Sequence, residues 1–266
     1  VSDWKFKRAN PIVNYTVGFE LDPPIAPHLL KEISGLAPLF EADLPRKTEQ
    51  QAFMFQMGPG VVPQTNIGGV TFDELERDGS MKRQLAVLPQ TIFYSLAPYQ
   101  RWVEYWPLAD RILAEAAKVA LRQSQIIAFV LNAVNAFYWQ GPEDHIDYSG
   151  LIRDDCPYIA ANVRRTKGLC HSFHGFVRPT DIPGRRIDNV NFMVGERADN
   201  VNVANLTFNI RVILNDRAQN YDLLFLDPTD SFVANCFKNL HESNNKLFAE
   251  VIVPEICGTI PGVPKL

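Results

Sequence analysis

The stretch Gln125–Trp139, QIIAFVLNAVNAFYW, is the most continuous apolar run in the chain, broken only by Asn132 and Asn135. A membrane-crossing helix needs about 20 apolar residues, so this run is too short to span a bilayer. Its density and its Phe137, Tyr138, Trp139 ending suit a strand covered on both faces. The run follows a charged amphipathic segment and is expected to be the central strand of a sheet. Asn132 and Asn135 stand three residues apart, so in a strand they point to opposite faces.

Elsewhere the periodicity changes with position. From Ile12 to Leu21, Val13, Tyr15, Val17, Phe19 and Leu21 alternate with polar residues, the pattern of a half-buried strand ended by Asp22-Pro23-Pro24. Leu29, Leu30, Ile33, Leu36 and Phe40 recur at helical spacing, and the helix is expected to end near Pro38. Gln51–Met57 reads as a short strand stopped by Gly58-Pro59-Gly60. Val70–Leu75 and Met81–Ala97 read as strands joined through Asp78-Gly79, a strong hairpin signal. In Pro98–Ser124 an apolar stripe through Trp102, Tyr105, Trp106, Ile112 and Leu113 opposes a charged one, which predicts a helix laid on a sheet.

The second half begins differently. Gln140–Asp188 holds four prolines and five glycines. It is expected to be mostly loop, with a hairpin around Ile159–Val163 and Leu169–Val177. Asn191–Val194, Val203–Leu214 and Tyr221–Leu226 read as strands. Asp227-Pro228-Thr229-Asp230 reads as a helix start, with Asp230 as the cap. Val233, Cys236, Phe237, Leu240, Leu247, Phe248 and Val251 give the last helix its buried face. Val1–Asn10 and Ile256–Leu266 read as a loose lead-in and a surface tail. The fold class is α+β. Two related halves of mostly antiparallel sheet are expected, residues 1–124 and 125–266, each packed with helices, with a long central helix and a loop-rich insert at 140–188.

Composition narrows the function classes. With 46% hydrophobic and 21% charged residues, the chain is expected to pack a core rather than remain disordered. A net charge of −4 gives no overall pull toward nucleic acid or anionic membrane. Cys156, Cys170, Cys236 and Cys257 form neither a disulfide framework nor a CxxC pair. With no signal peptide or membrane span in view, a cytoplasmic setting is expected. The sequons at Asn14 and Asn205 are the kind of tripeptide that arises by chance.

Several patches resemble one sporadically distributed prokaryotic family of about this length with no established function. The opening strand Pro11-Ile-Val-Asn-Tyr-Thr-Val-Gly-Phe-Glu-Leu-Asp-Pro23 is similar to that family's proline-led first strand. Tyr99-Gln-Arg-Trp102 resembles its helix start, Leu131-Asn132-Ala133-Val134-Asn135 its central strand, and Leu226-Asp227, Leu240-His241 and Phe248 its closing elements. The likeness covers most of the chain outside Gln140–Asp188. Members often carry glutamates where this chain has Asn14 and Gly18, and arginine and tyrosine where it has Asn132 and Ala133. The resemblance implies an accessory or interaction protein, and the layout also resembles SecB-like chaperones.

The candidate binding residues are polar and basic. Tyr158–Arg186 carries Arg164, Arg165, Lys167, Arg178, Arg185 and Arg186 against the single acid Asp181, interleaved with Phe173, Phe176 and two histidines. Such a segment can hold nucleic acid by charge and stacking, pair with an acidic protein surface, or simply be solvated. Asn135 either lines a pocket or interface or hydrogen-bonds the sheet backbone, as buried amides normally do. Cys170, His171 and His174, with Cys156 upstream, are types that zinc accepts, but their spacing matches no finger and a strand would make the histidines diverge. No GxSxG, HExxH or Walker pattern occurs, so no catalytic residue, metal or cofactor is expected. These features favour a non-enzymatic interaction protein of a prokaryotic assembly, with a protein partner or a homo-oligomer and no membrane. Nucleic-acid binding through 158–186 and small-ligand binding are the alternatives.

Overall fold

The computed structural model describes residues 3–7, 10–54, 64–99, 101–142, 145–196, 201–218, 224–225, 231–260 and 263–264. In chain order the elements begin with β1 (Trp4–Lys5), β2 (Ile12–Asp22), α1 (Pro27–Ser34), α2 (Ala37–Phe40), β3 (Arg46–Met54) and β4 (Gln64–Leu75). They continue with β5 (Met81–Leu88), β6 (Thr91–Leu96), α3 (Trp102–Ala120), β7 (Gln125–Trp139), α4 (Ala161–Arg165) and β8 (Cys170–Arg178). The last are β9 (Gly184–Glu196), β10 (Asn202–Ala218), α5 (Phe232–Val251) and α6 (Pro254–Cys257). All ten strands belong to one antiparallel sheet in the order β3-β4-β5-β6-β2-β7-β10-β9-β8, with β1 paired to the end of β7. The fold is α+β. Among the described residues no helix is long and apolar enough to cross a membrane.

Strand β7 holds the centre, between β2 and β10. Its inward side chains Phe129, Leu131, Ala133 and Phe137 are fully buried beneath the helices. On the opposite face Ala128, Val130 and Ala136 are buried as well, whereas Asn132 and Val134 are half-buried, so that face of β7 is covered only in part. Flanking strands shield those side chains laterally, and among the described residues the helices pack on the inward face. Strand β2 alternates as expected from Tyr15 to Leu21. A bulge between Ile12 and Asn14 leaves the apolar Val13 exposed. An extra residue in one strand of a pair shifts which side chains face inward.

The helices share the inner face. Trp106 of α3 meets Phe237 of α5, with ring centroids 5.2 Å apart. One hydrophobic cluster joins β2, β4 to β7, α1, α3 and the first half of α5. A second joins β1, β9, the segment from Ile146 to Ile159, the second half of α5 and α6. Asn135 on β7 and Asn244 on α5 fall in the intervals between the clusters, each buried and each with an unpartnered Oδ1. Apolar packing is broken there by two amides.

The Asp78-Gly79 hairpin is present: Gly79 takes a φ of +83° and Asp78 Oδ1 accepts from the Ser80 N–H at 2.9 Å. A positive φ suits glycine because no Cβ crowds the carbonyl. Other expectations are corrected. The first helix breaks at Gly35, and Pro38 sits in the first turn of α2, where a missing N–H is harmless. Of the hairpin expected in 140–188, the strand at Leu169–Val177 is present as β8, but its partner is β9, and Ile159–Val163 leads into α4 rather than forming a strand. The cap of α5 is Ser231, whose Oγ accepts from the Ala234 N–H at 3.0 Å, and not Asp230. Trp4 is buried against Trp139, so the lead-in is anchored. Ile256, Cys257 and Ile260 are buried, so the tail is anchored as well. Gly58-Pro59-Gly60 and Asp227-Pro228-Thr229-Asp230 lie outside the described residues, as does most of Tyr221–Leu226. Within that last stretch Leu224 and Phe225 have helical backbone.

Candidate protein-binding face

The sheet face opposite the helices is where the strand registers bring chemistry together. Across adjacent strands the pairs are Arg46↔Asp73, Asp73↔Gln84, Gln84↔Ser95 and Ser95↔Thr16. They continue as Thr16↔Asn132, Asn132↔Asn209, Asn209↔Asn189 and Asn189↔Gly175. One row therefore crosses nine strands, and from Gln84 to Asn189 every side chain in it is an uncharged amide or hydroxyl. With strands about 4.8 Å apart, the row from Gln84 to Gly175 extends over roughly 30 Å. The next row on the β7, β10, β9 side holds Val134, Thr207 and Asn191.

The row is internally organised yet retains bonding capacity. Thr16 Oγ1 lies 2.7 Å from Ser95 Oγ and donates to Asn14 Oδ1 at 3.0 Å. His171 Nε2 lies 2.8 Å from Asn191 Oδ1. The charges beside the row, Glu20 and Arg211, pair with each other across β2, β7 and β10. The outcome is a hydrogen-bonding row with exposed apolar side chains at one end: Phe173, Val177 and Met193 are 63%, 58% and 45% exposed. Asn132, one of the two amides in the central apolar run, stands in the middle of this face.

The residues singled out from the sequence are dispersed. Arg178 and Arg186 point to the inner side and are consumed there. Arg186 makes a two-pronged bond to the buried Asp188, at 2.7 and 2.6 Å. Arg178 pairs with Glu250 at 2.6 Å and also contacts the Tyr158 hydroxyl. Burial pushes Tyr158 up to about 12. Burial would raise Glu250 too, but bonds from Arg178 and Tyr158 outweigh it and hold that carboxyl below its ordinary value. Arg164 donates to the Arg153 carbonyl at 3.0 Å and to that of Asp154. Arg165, Lys167 and Arg185 are exposed, but α4 carries the first near the inner side while Arg185 lies on the outer face of β9. The six basic residues thus form no single patch.

Asn135 faces inward, and its Nδ2 donates to the Leu206 carbonyl at 3.0 Å, inside the sheet. His171 points outward, whereas His174 points inward toward Tyr158 and Phe176. Cys170 contacts Tyr148 instead of either histidine. Among the described residues no three His, Cys, Asp or Glu side chains gather as metal ligands would. Sequence reasoning missed the polar row because it depends on five cross-strand registers; the recurring Asn and Thr at alternate positions of β2, β7, β9 and β10 were its only local signal. Comparisons with known protein families, curated proteins and solved structures find no match to this chain.

Proposed function

We propose that this protein is a non-enzymatic interaction protein that binds a protein partner on the outer face of its sheet, as an accessory subunit of a prokaryotic cytoplasmic assembly. The observation that carries the reading is the neutral amide and hydroxyl row crossing the sheet from Gln84 to Asn189, on a face that no described helix covers. A row of neutral donors and acceptors suits peptide groups and polar side chains, and the apolar end supplies the desolvated anchor that interfaces need. A nucleic-acid ligand would need several free cations on one surface. Arg164, Arg178 and Arg186 are already occupied, which favours a protein partner over nucleic acid on the segment 158–186.

The same proposal takes residues 1–124 and 125–266 as two related halves about a long central helix. In its support, β2 and β7 are neighbours at the centre. Each leads to a meander whose last strand, β6 or β10, pairs back with it, and each meander is followed by a long helix, α3 or α5. The resemblance to the prokaryotic family, where it holds, implies the same accessory role.

The test is capture from the native host with tagged protein. Asn132→Arg combined with Asn209→Glu should abolish retention of the partner, while Lys118→Glu on α3 should leave it intact. Equal retention by both variants would move the interface elsewhere.

A further inference from the structure

The sheet ends on β8, and that edge is unlike the other. Strand β3 guards its edge with Arg46, Lys47 and Glu49, all exposed. Charged edge strands discourage pairing with another chain. Strand β8 reads CHSFHGFVR, and its only formal charge, Arg178, is turned inward to Glu250. Among the described residues, no backbone group of β8 bonds to anything beyond its partner β9.

The apolar residues on this edge have a symmetric arrangement. Leu169, Phe173 and Val177 are spaced four apart, and all three are more than half exposed. Alternate residues of a strand share a face, so Phe173 and Val177 lie on the outer side, with Leu169 one step before the strand at the same parity. The pattern is unchanged when the strand is reversed about Phe173. Reversal sets Leu169 opposite Val177, Phe173 opposite Phe173 and His171 opposite Gly175. On the inner side it sets Ser172 opposite His174 and Cys170 opposite Phe176. No like charges meet, and every exposed apolar side chain meets another. An interface between identical chains about a two-fold axis requires this self-complementarity.

We infer that the chain forms a homodimer in which β8 of one copy pairs antiparallel with β8 of a second copy, centred on Phe173. The two sheets become one, and both outer faces lie on the same side. Met193, 45% exposed and diagonal to Phe173 across β9, flanks the apolar seam. The dimer does not depend on the partner reading: it stands or falls on mass and register alone.

Sedimentation velocity at tens of micromolar checks the mass. The wild type sediments at twice the chain mass of 30.1 kDa. Phe173→Lys, and separately Val177→Lys, weaken association by at least about 100-fold, because the first places charges at the centre of the apolar seam and the second at both of its ends. Both variants keep the wild-type circular dichroism. Register is read by oxidation: Phe173→Cys links to itself on a non-reducing gel, whereas His174→Cys does not. A wild type that stays monomeric, or lysine variants that stay dimeric, overturns the dimer. Self-linking by His174→Cys instead of Phe173→Cys overturns the register.

Discussion

The Tyr15 hydroxyl of β2 lies 2.9 Å from Nδ1 of His241 on α5, in a cluster where Trp102 stacks on the imidazole at 4.4 Å. This contact ties β2 to both long helices. Burial lowers the pKa of His241 from 6.5 to about 4. The folded state therefore keeps the ring neutral where the unfolded chain takes up a proton.

The sign follows from linkage. A depressed histidine contributes stability that is full above pH 6.5 and lost as pH falls through about 4. The loss attributable to His241 is about 2–3 kcal/mol. Urea unfolding at pH 7 and pH 4 measures it. His241→Gln should flatten the dependence over that window.

Asp110 on α3 acts in the opposite direction. It is buried, its Oδ1 has no hydrogen-bond partner, and desolvation raises its pKa from 3.8 to about 6. Here the folded state binds the proton more tightly, so stability declines as pH rises from 3.8 to 6. Asp110→Asn should stabilise the protein at pH 7 by about 1–2 kcal/mol and leave it nearly unchanged at pH 3.5. Equal effects at both pH values would mean that the carboxylate carries no desolvation cost.

Gly18 of β2 lies opposite Phe93 of β6. A Cβ built there would lie 2.0 Å from the Ile92 carbonyl oxygen and 2.8 Å from the Phe93 Cα. Because backbone cannot move aside cheaply, Gly18→Ala should cost about 3 kcal/mol in chemical denaturation. It should also raise amide exchange along β6. The same geometry leaves no room for a larger side chain at this position.

The Arg178–Glu250 pair tests whether the basic segment is a surface or a brace. Arg178→Ala should destabilise by about 1–3 kcal/mol, since it leaves Glu250 without its cation and removes the second cation beside the buried Asp188, which keeps Arg186. Arg165→Ala and Lys167→Ala should each change stability by less than about 0.5 kcal/mol, as exposed side chains usually do. Thermal unfolding of the three variants side by side distinguishes the two roles.

Local periodicity carried much of the fold. The β7 run, the alternation from Tyr15 to Leu21, the Asp78-Gly79 turn and the stripes of α3 and α5 are all readable within windows of ten to twenty residues. Each reflects short-range physics: backbone sterics and the separation of apolar from polar faces. The opposite facing of Asn132 and Asn135 follows from the same rule. What these windows cannot contain is pairing at a distance. Arg178 meets Glu250 72 residues away, and Tyr15 meets His241 226 residues away. The basic run therefore looked like one patch until tertiary contacts divided it, and the strand read at Leu169–Val177 pairs with β9 rather than with Ile159–Val163. The outer polar row is the clearest case. Its members come from strands spread over the chain, and only the registers of β5, β6, β2, β7, β10 and β9 set them side by side. Strand formation was thus legible from side-chain alternation alone. Strand order, the open face and the unguarded edge were decided by which hydrogen-bonded neighbours the folded chain supplied.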